Sequence, residues 1–221
     1  MNYPWCNAIL SFVRSGDADA FYTAVMTILD HYPWPSIATL MTPLSTHDSV
    51  RALTALGVEH EVPAQDRPEY KMTQDEYWKG VQRLKLAATL QYTLPGFPSL
   101  YYGDEIGMYG FADPWNRRTF SWDNIDAGLH DFYVRLGKMR RENTADFTRP
   151  LKFFDLDTGV IAYSRGSLLV VVNASESDYQ WPAMIDSLVF STGNASITET
   201  GILVSRMSAA VFRLRKEYWQ E

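Results

Sequence analysis

The arrangement of apolar residues changes character once along this chain, near Phe147, and that change limits the folds open to it. Before it, amphipathic stretches alternate with short, continuously apolar runs. After it, no helical period appears. Three helical segments stand out in the first part. One covers residues 17–32, where Phe21, Val25, Ile28 and Tyr32 share a stripe and Pro33 and Pro35 stop the helix. The second opens at Thr73, with Glu76 three positions on in a capping-box pattern. Tyr77, Val81, Leu84 and Ala88 mark its buried face, and Pro95-Gly96 end it. The third follows Asn124. Leu129, Phe132, Leu136 and Met139 form its stripe, and Lys138, Arg140 and Arg141 lie near its C-terminus, where the helix dipole favours cations.

Apolar runs at residues 37–44 and 97–102 lead into Ser45-Thr46-His47-Asp48 and Gly103-Asp104-Glu105. Short, unbroken and flanked by helices, they read as buried parallel strands of βα units. Beyond Phe147 come β-rich runs at 151–154, 160–163, 168–172, 187–190 and 209–214, separated by Asp157-Thr158-Gly159, Arg165-Gly166 and Thr192-Gly193-Asn194. In the last run Ala210, Phe212 and Leu214 alternate with Val211, Arg213 and Arg215, which predicts a half-exposed strand. The expected organisation is an α/β domain over 1–147 and a small antiparallel β-sandwich over 148–221, with no internal repeat or low-complexity segment.

Composition narrows the function classes. Hydrophobic residues at 46% and charged residues at 21% suit a buried core rather than disorder. A net charge of −6, with scattered lysines and arginines, argues against a nucleic-acid partner. No apolar run reaches the roughly 18 residues of a membrane span, and no basic-then-apolar leader opens the chain. Cys6 stands alone, which excludes an internal disulfide and a cysteine metal cluster and leaves an inert small side chain. Aromatics at 14% permit carbohydrate binding, because pyranose rings have apolar faces. Asn173-Ala174-Ser175 and Asn194-Ala195-Ser196 match a glycosylation sequon by composition alone.

In a barrel of βα units, functional residues gather after the C-terminal ends of the strands. The polar clusters there are Asn2-Tyr3, His47-Asp48 and Asp104-Glu105, the last with Asp113 and Arg117 further along. His47-Asp48 also suits a helix N-cap, and Asp113 with Arg117 also suits a surface ion pair.

Several of these stretches resemble one family in order and spacing. Leu44-Ser45-Thr46-His47-Asp48-Ser49-Val50-Arg51 resembles the motif after the seventh barrel strand of the alpha-amylase family of glycoside hydrolases. Pro95-Gly96-Phe97-Pro98-Ser99-Leu100-Tyr101-Tyr102-Gly103-Asp104-Glu105-Ile106-Gly107-Met108 resembles its eighth-strand motif, and Asp113-Pro114-Trp115-Asn116-Arg117-Arg118 the loop that follows. Met1-Asn2-Tyr3-Pro4 is similar to the end of the sixth strand in the neopullulanase and cyclomaltodextrinase branch. Thr46 replaces the Asn common before His-Asp, and Phe111-Ala112 replace the usual glycine-rich sequence before Asp113.

The resemblance implies an α/β fold made of the last three βα units of a (β/α)8 barrel followed by a C-terminal β-sandwich. It implies Asp48 as the third catalytic carboxylate, a transition-state stabiliser. His47 would bind the same sugar, Asp113 and Arg117 a neighbouring glucose unit, and Tyr3 would line the cleft. Asp104 and Glu105 would brace the loop. The implied partner is an alpha-glucan, maltooligosaccharide or cyclodextrin. No cofactor is implied, although calcium serves some complete family members, and no metal ligand is expected here. Retaining hydrolysis needs a nucleophile and an acid/base carboxylate about 5 Å apart, and in this family both lie before the sixth strand. The expected chain is therefore a C-terminal part, inactive alone. A non-catalytic carbohydrate-binding or interaction module and a split enzyme completed by a second chain stay open. Uncovered strand edges predict a homo-oligomer or domain-swapped dimer, and the branch implies a cytoplasmic location.

Overall fold

A computed structural model describes residues 1–218; residues 219–221, the end of the expected second domain, lie outside the described residues. The first helix, α1 (Tyr3–Ser15), was not marked out by sequence. Asn2 caps it by accepting the Trp5 N–H (3.2 Å), Pro4 suits its first turn, and it buries Trp5, Ile9, Phe12 and Val13. Gly16 ends it at φ 73, a left-handed conformation that glycine adopts without steric cost. Asp17 then caps α2 (Ala18–His31), which buries Phe21 and Val25. Tyr32, expected on the buried stripe, lies past the helix end and is exposed.

The run at 37–44 is not one strand. Pro33 and Pro35 do stop α2, but their fixed φ also starts a short helix, α3 (Trp34–Ala38). The strand is only β1 (Met41–Pro43). After the short α4 (Ala52–Gly57) comes α5 (Gln74–Thr93), opened by the expected capping box between Thr73 and Glu76. The next strand, β2 (Phe97–Ser99), is shorter than the expected 97–102 because the chain turns at Tyr102-Gly103, where Gly103 has φ 87. β1 and β2 pair in parallel, Met41 opposite Phe97. The barrel strand expected at the N-terminus is represented by Asn2 alone, whose N–H donates to the Met41 carbonyl (2.7 Å). Asp126, two residues past Asn124, caps α6 (Ala127–Glu142), which is followed by α7 (Thr144–Phe147).

From Leu151 the chain is built of strands: β3 (Leu151–Asp157), β4 (Val160–Arg165), β5 (Leu168–Asn173), β6 (Tyr179–Trp181), β7 (Ile185–Ser191), β8 (Ala195–Ile197), β9 (Ile202–Val204) and β10 (Ser208–Leu214). They form an antiparallel five-stranded sheet in the order β3-β4-β5-β10-β7 and a three-stranded sheet β6-β9-β8. β10 is not half-exposed as its alternation predicted. Ala209 and Val211 join the core shared with α1, α5 and α6, while Ala210, Phe212 and Leu214 pack against Ile185, Ile202 and Val204. β4 and β5 divide in the same way, so the larger sheet has helices on one face and the smaller sheet on the other. Each fully buried aliphatic side chain contributes about 1.5–3 kcal/mol, and β4, β5 and β10 bury such side chains on both faces.

The helical and strand parts are joined through one buried guanidinium. Arg165 donates to the carbonyls of Thr93 (2.7 Å), Phe147 and Arg149 (2.9 Å), tying the end of α5 and the 147–149 connection to β4. Beside it the Thr93 and Tyr163 hydroxyls share a hydrogen bond of 2.5 Å. These contacts fix the helices behind the loops that leave the C-terminal ends of β1 and β2.

Candidate functional site

Those loops converge. After β1 the chain turns through Thr46–Ser49, closed by Thr46 N–H to Ser49 Oγ (2.9 Å) and Asp48 N–H to Thr46 Oγ1 (3.2 Å). His47 and Asp48 do not cap a helix: the cap position of α4 is Arg51. Both side chains point outward, 55% and 60% exposed, and His47 Nε2 lies 3.2 Å from Asp48 Oδ2. Tyr3, half-buried at the start of α1, reaches the same turn with its hydroxyl 3.5 Å from Thr46 Oγ1.

The loop after β2 supplies the other half. Arg117 Nε donates to the His47 carbonyl (3.0 Å) and lies 2.9 Å from Asp113 Oδ1 in an ion pair, and Nη2 lies 3.8 Å from Asp48 Oδ1. One guanidinium thus faces two exposed carboxylates from two loops. The structure brings His47, Asp48 and Asp113 together around Arg117, and Tyr3 reaches the same turn only through Thr46. The bond between Asp113 and Pro114 is cis.

Two buried residues hold this arrangement, and neither was singled out by sequence. Asn116 donates from Nδ2 to the carbonyls of Thr46 (3.2 Å), His47 (2.9 Å) and Ser49 (2.7 Å), clamping the first loop to the second. Arg51 donates from Nε to the Asn116 carbonyl (3.0 Å) and from Nη1 to the Tyr102 carbonyl (2.8 Å) and Asp104 Oδ1 (3.2 Å). Its guanidinium also lies over Tyr101 (4.7 Å) and Tyr102 (4.8 Å). Both sat within the motif stretches, but their identity alone gives no sign that they are buried; an asparagine beside an arginine reads as loop surface.

Asp104 is buried beneath the site. Burial pushes its carboxyl up to about 7 and outweighs the Ser45 hydroxyl and Arg51 guanidinium, which pull the other way. Burial likewise raises the Cys6 thiol to about 11, so Cys6 is an unreactive core residue that hydrogen-bonds to the Leu44 carbonyl. Among the described residues no three His, Cys, Asp or Glu side chains are placed to hold a metal ion.

Chemically, the site offers hydrogen-bond acceptors and donors to a polyhydroxylated ligand. Asp48 and Asp113 are exposed and share a guanidinium, whereas a general acid in glycoside hydrolysis is a carboxyl kept protonated by an apolar pocket. Nothing in the pair supplies that acid.

No family model matches the chain. It is 32% identical over 208 residues to an amylopullulanase of Thermoanaerobacter thermohydrosulfuricus, an alignment that covers 88% of this chain and 13% of that protein. To a cyclomaltodextrinase of a Bacillus species it is 30% identical over 189 residues, covering 81% of this chain and 30% of that protein. A debranching enzyme from Nostoc punctiforme has the same fold, with a TM-score of 0.78 at 21% identity over 96% of this chain and 47% of that one. The chain spans less than a third of the length of the curated relatives it matches.

Proposed function

The chain belongs to the alpha-amylase family of glycoside hydrolases, and on that premise we propose that the exposed patch around Arg117 binds alpha-glucans through Asp48, His47, Asp113, Arg117 and Tyr3. The observation that carries this reading is Arg117, which gathers both carboxylates and the His47 carbonyl into one exposed patch at the C-terminal end of β1 and β2. That is the face on which barrel enzymes act. In this reading Asp48 hydrogen-bonds the sugar at the reacting position, and its contacts strengthen as the ring distorts toward the oxocarbenium-like transition state. His47 shares the same sugar. Asp113 and Arg117 hold the next glucose unit, and Tyr3 lines the wall.

By the family resemblance, the nucleophile and the acid/base carboxylate would lie outside these 221 residues. Asp48 cannot supply both, and Asp104 is walled off by burial. The chain by itself therefore binds glucan without cleaving it, and hydrolysis requires carboxylates from residues outside it. Residues 1–147 would form the sugar-binding portion, and residues 148–221 would act as its support. The relatives named amylopullulanase and cyclomaltodextrinase favour alpha-glucans or cyclodextrins as the ligand.

A second proposal concerns the uncovered strand. β2 pairs only with β1 among the described residues, and Met41 and Phe97, opposite each other in register, are 47% and 58% exposed. An open edge with apolar flanks invites pairing with another chain, so a homo-oligomer or domain-swapped dimer is proposed. No described helix is long and apolar enough to cross a membrane; a cytoplasmic setting is proposed from the family branch alone. Titrating maltoheptaose into the purified chain tests the cleft. Saturable binding that Arg117→Ala weakens supports it; binding indifferent to Arg117→Ala and Asp113→Ala overturns it.

A further inference from the structure

A polar hollow lies between α5 and the loops of the strand part. It consists of two cavities of 450 and 440 Å³ that share Gln82, Arg206 and Met207 and so run together as one groove. None of its lining comes from the loops at 44–51 or 113–118. From these features we propose that the groove is a second alpha-glucan binding site, separate from the Asp48 cleft. The ligand class rests on the reading of this chain as glucan-binding; the place and the residues do not.

The groove has a flat aromatic in the open. Trp78 projects from α5, is 53% exposed, and is braced edge-on by Tyr77 at 5.7 Å, whose hydroxyl is anchored on Asp126 Oδ2 (2.9 Å). An exposed tryptophan held from behind presents a platform for the apolar face of a pyranose ring. The opposite wall is a tight turn. Arg206 N–H donates to Asp178 Oδ1 (2.9 Å), Met207 N–H to the Ser175 carbonyl (3.1 Å) and Ser205 N–H to the Asn194 carbonyl (3.0 Å). Within it Met207 is held at φ 47, a left-handed conformation that costs a non-glycine residue about 1–2 kcal/mol. The surrounding bonds impose that conformation, and the turn places Arg206 on the groove wall.

The charges suggest a neutral ligand. Arg206 and Lys85 face Asp75, Glu176 and Asp178 around the groove, while Lys79 and Arg83 are already engaged by Glu59 (2.9 and 2.6 Å). Among the described residues the groove has no cluster of free cations to hold a phosphate and no acidic excess to hold a metal. A mixed set of donors and acceptors beside one aromatic ring matches the hydroxyl pattern of glucose units.

The test is calorimetric titration of maltoheptaose into the full 221-residue chain and three variants. The wild type is expected to bind two molecules per chain. Trp78→Ala should weaken one of them about tenfold and leave the other unchanged. Arg117→Ala should do the reverse, and Arg206→Ala should act like Trp78→Ala. One bound molecule, lost in Arg117→Ala and untouched by Trp78→Ala and Arg206→Ala, overturns the groove and leaves the cleft reading standing. One bound molecule that responds only to Trp78→Ala or Arg206→Ala supports the groove and overturns the cleft. No binding at all overturns both. Trp78→Phe keeps a ring and should retain binding, which separates stacking from loss of fold; binding lost equally in Trp78→Phe, with an unchanged melting temperature, counts against a stacking platform.

Discussion

At the scale of single residues, the candidate site is held by the buried side chains of Asn116 and Arg51. Asn116 uses its amide nitrogen on three carbonyls of the His47 loop. Replacing it with Ala strands those buried carbonyls, at about 1–3 kcal/mol for an unsatisfied group. Asn116→Ala should therefore lower the melting temperature by several degrees and weaken glucan binding together; unchanged stability with unchanged binding would contradict the clamp. Asp104 carries a pH dependence. Its carboxyl is raised from an ordinary value near 3.8 to about 7 in the folded chain. The folded state thus holds this proton where the unfolded chain has released it. Its contribution to stability is present at low pH and is lost as pH rises through the window from about 4 to about 7. The melting temperature of Asp104→Asn should fall less than that of the wild type between those pH values. Parallel profiles would mean that Asp104 ionises normally.

At the scale of elements, α4 and α5 meet through glycines. A Cβ on Gly80 would lie 2.9 Å from Leu53 Cδ1 and 3.0 Å from the Leu53 carbonyl oxygen, and one on Gly57 would lie 2.3 Å from the Glu76 carbonyl oxygen. Gly80→Ala gains helix propensity but forces the helices apart, so the net expectation is destabilisation of about 1–3 kcal/mol. A raised denaturation midpoint would show that the helices have room. The elements that sequence foretold are those with local signals. The Thr73 and Glu76 capping box and the stripe of α6 needed no tertiary knowledge. β6, β8 and β9 were missed because three residues each are too few to show a period. α3 was missed because apolar residues next to prolines read equally as a strand. β10 was misjudged because Arg213 suggested a solvent face, whereas it bonds to Ser167, Asn143 and Asp146 beside the helices. In the site, the outward-facing residues were legible from position after strands and from motif. The buried Asn116 and Arg51 were not, since hydrogen bonds to carbonyls across some 50 to 70 positions leave no trace in residue type.

At the scale of the whole molecule, one core runs from α1 through α5 and α6 into the larger sheet, with Arg165 as the tie. Arg165→Ala leaves the Thr93, Phe147 and Arg149 carbonyls without that partner. The two parts should then lose stability together in a single transition, and two separated unfolding steps would argue against a shared core. The uncovered edge of β2 predicts a solution mass above the 25.3 kDa of one chain, rising with concentration; a monomer at all concentrations would contradict the proposed assembly. We propose that this chain grips alpha-glucan through the Arg117 patch and does not cut it. Proton NMR of maltoheptaose incubated with the purified chain reads both halves of that claim in one sample. Saturation transfer to the sugar protons is expected, reduced in Arg117→Ala and lost when Trp78→Ala is added, with the anomeric signals unchanged over time. New anomeric signals from shorter sugars, or no transfer at all, would contradict it.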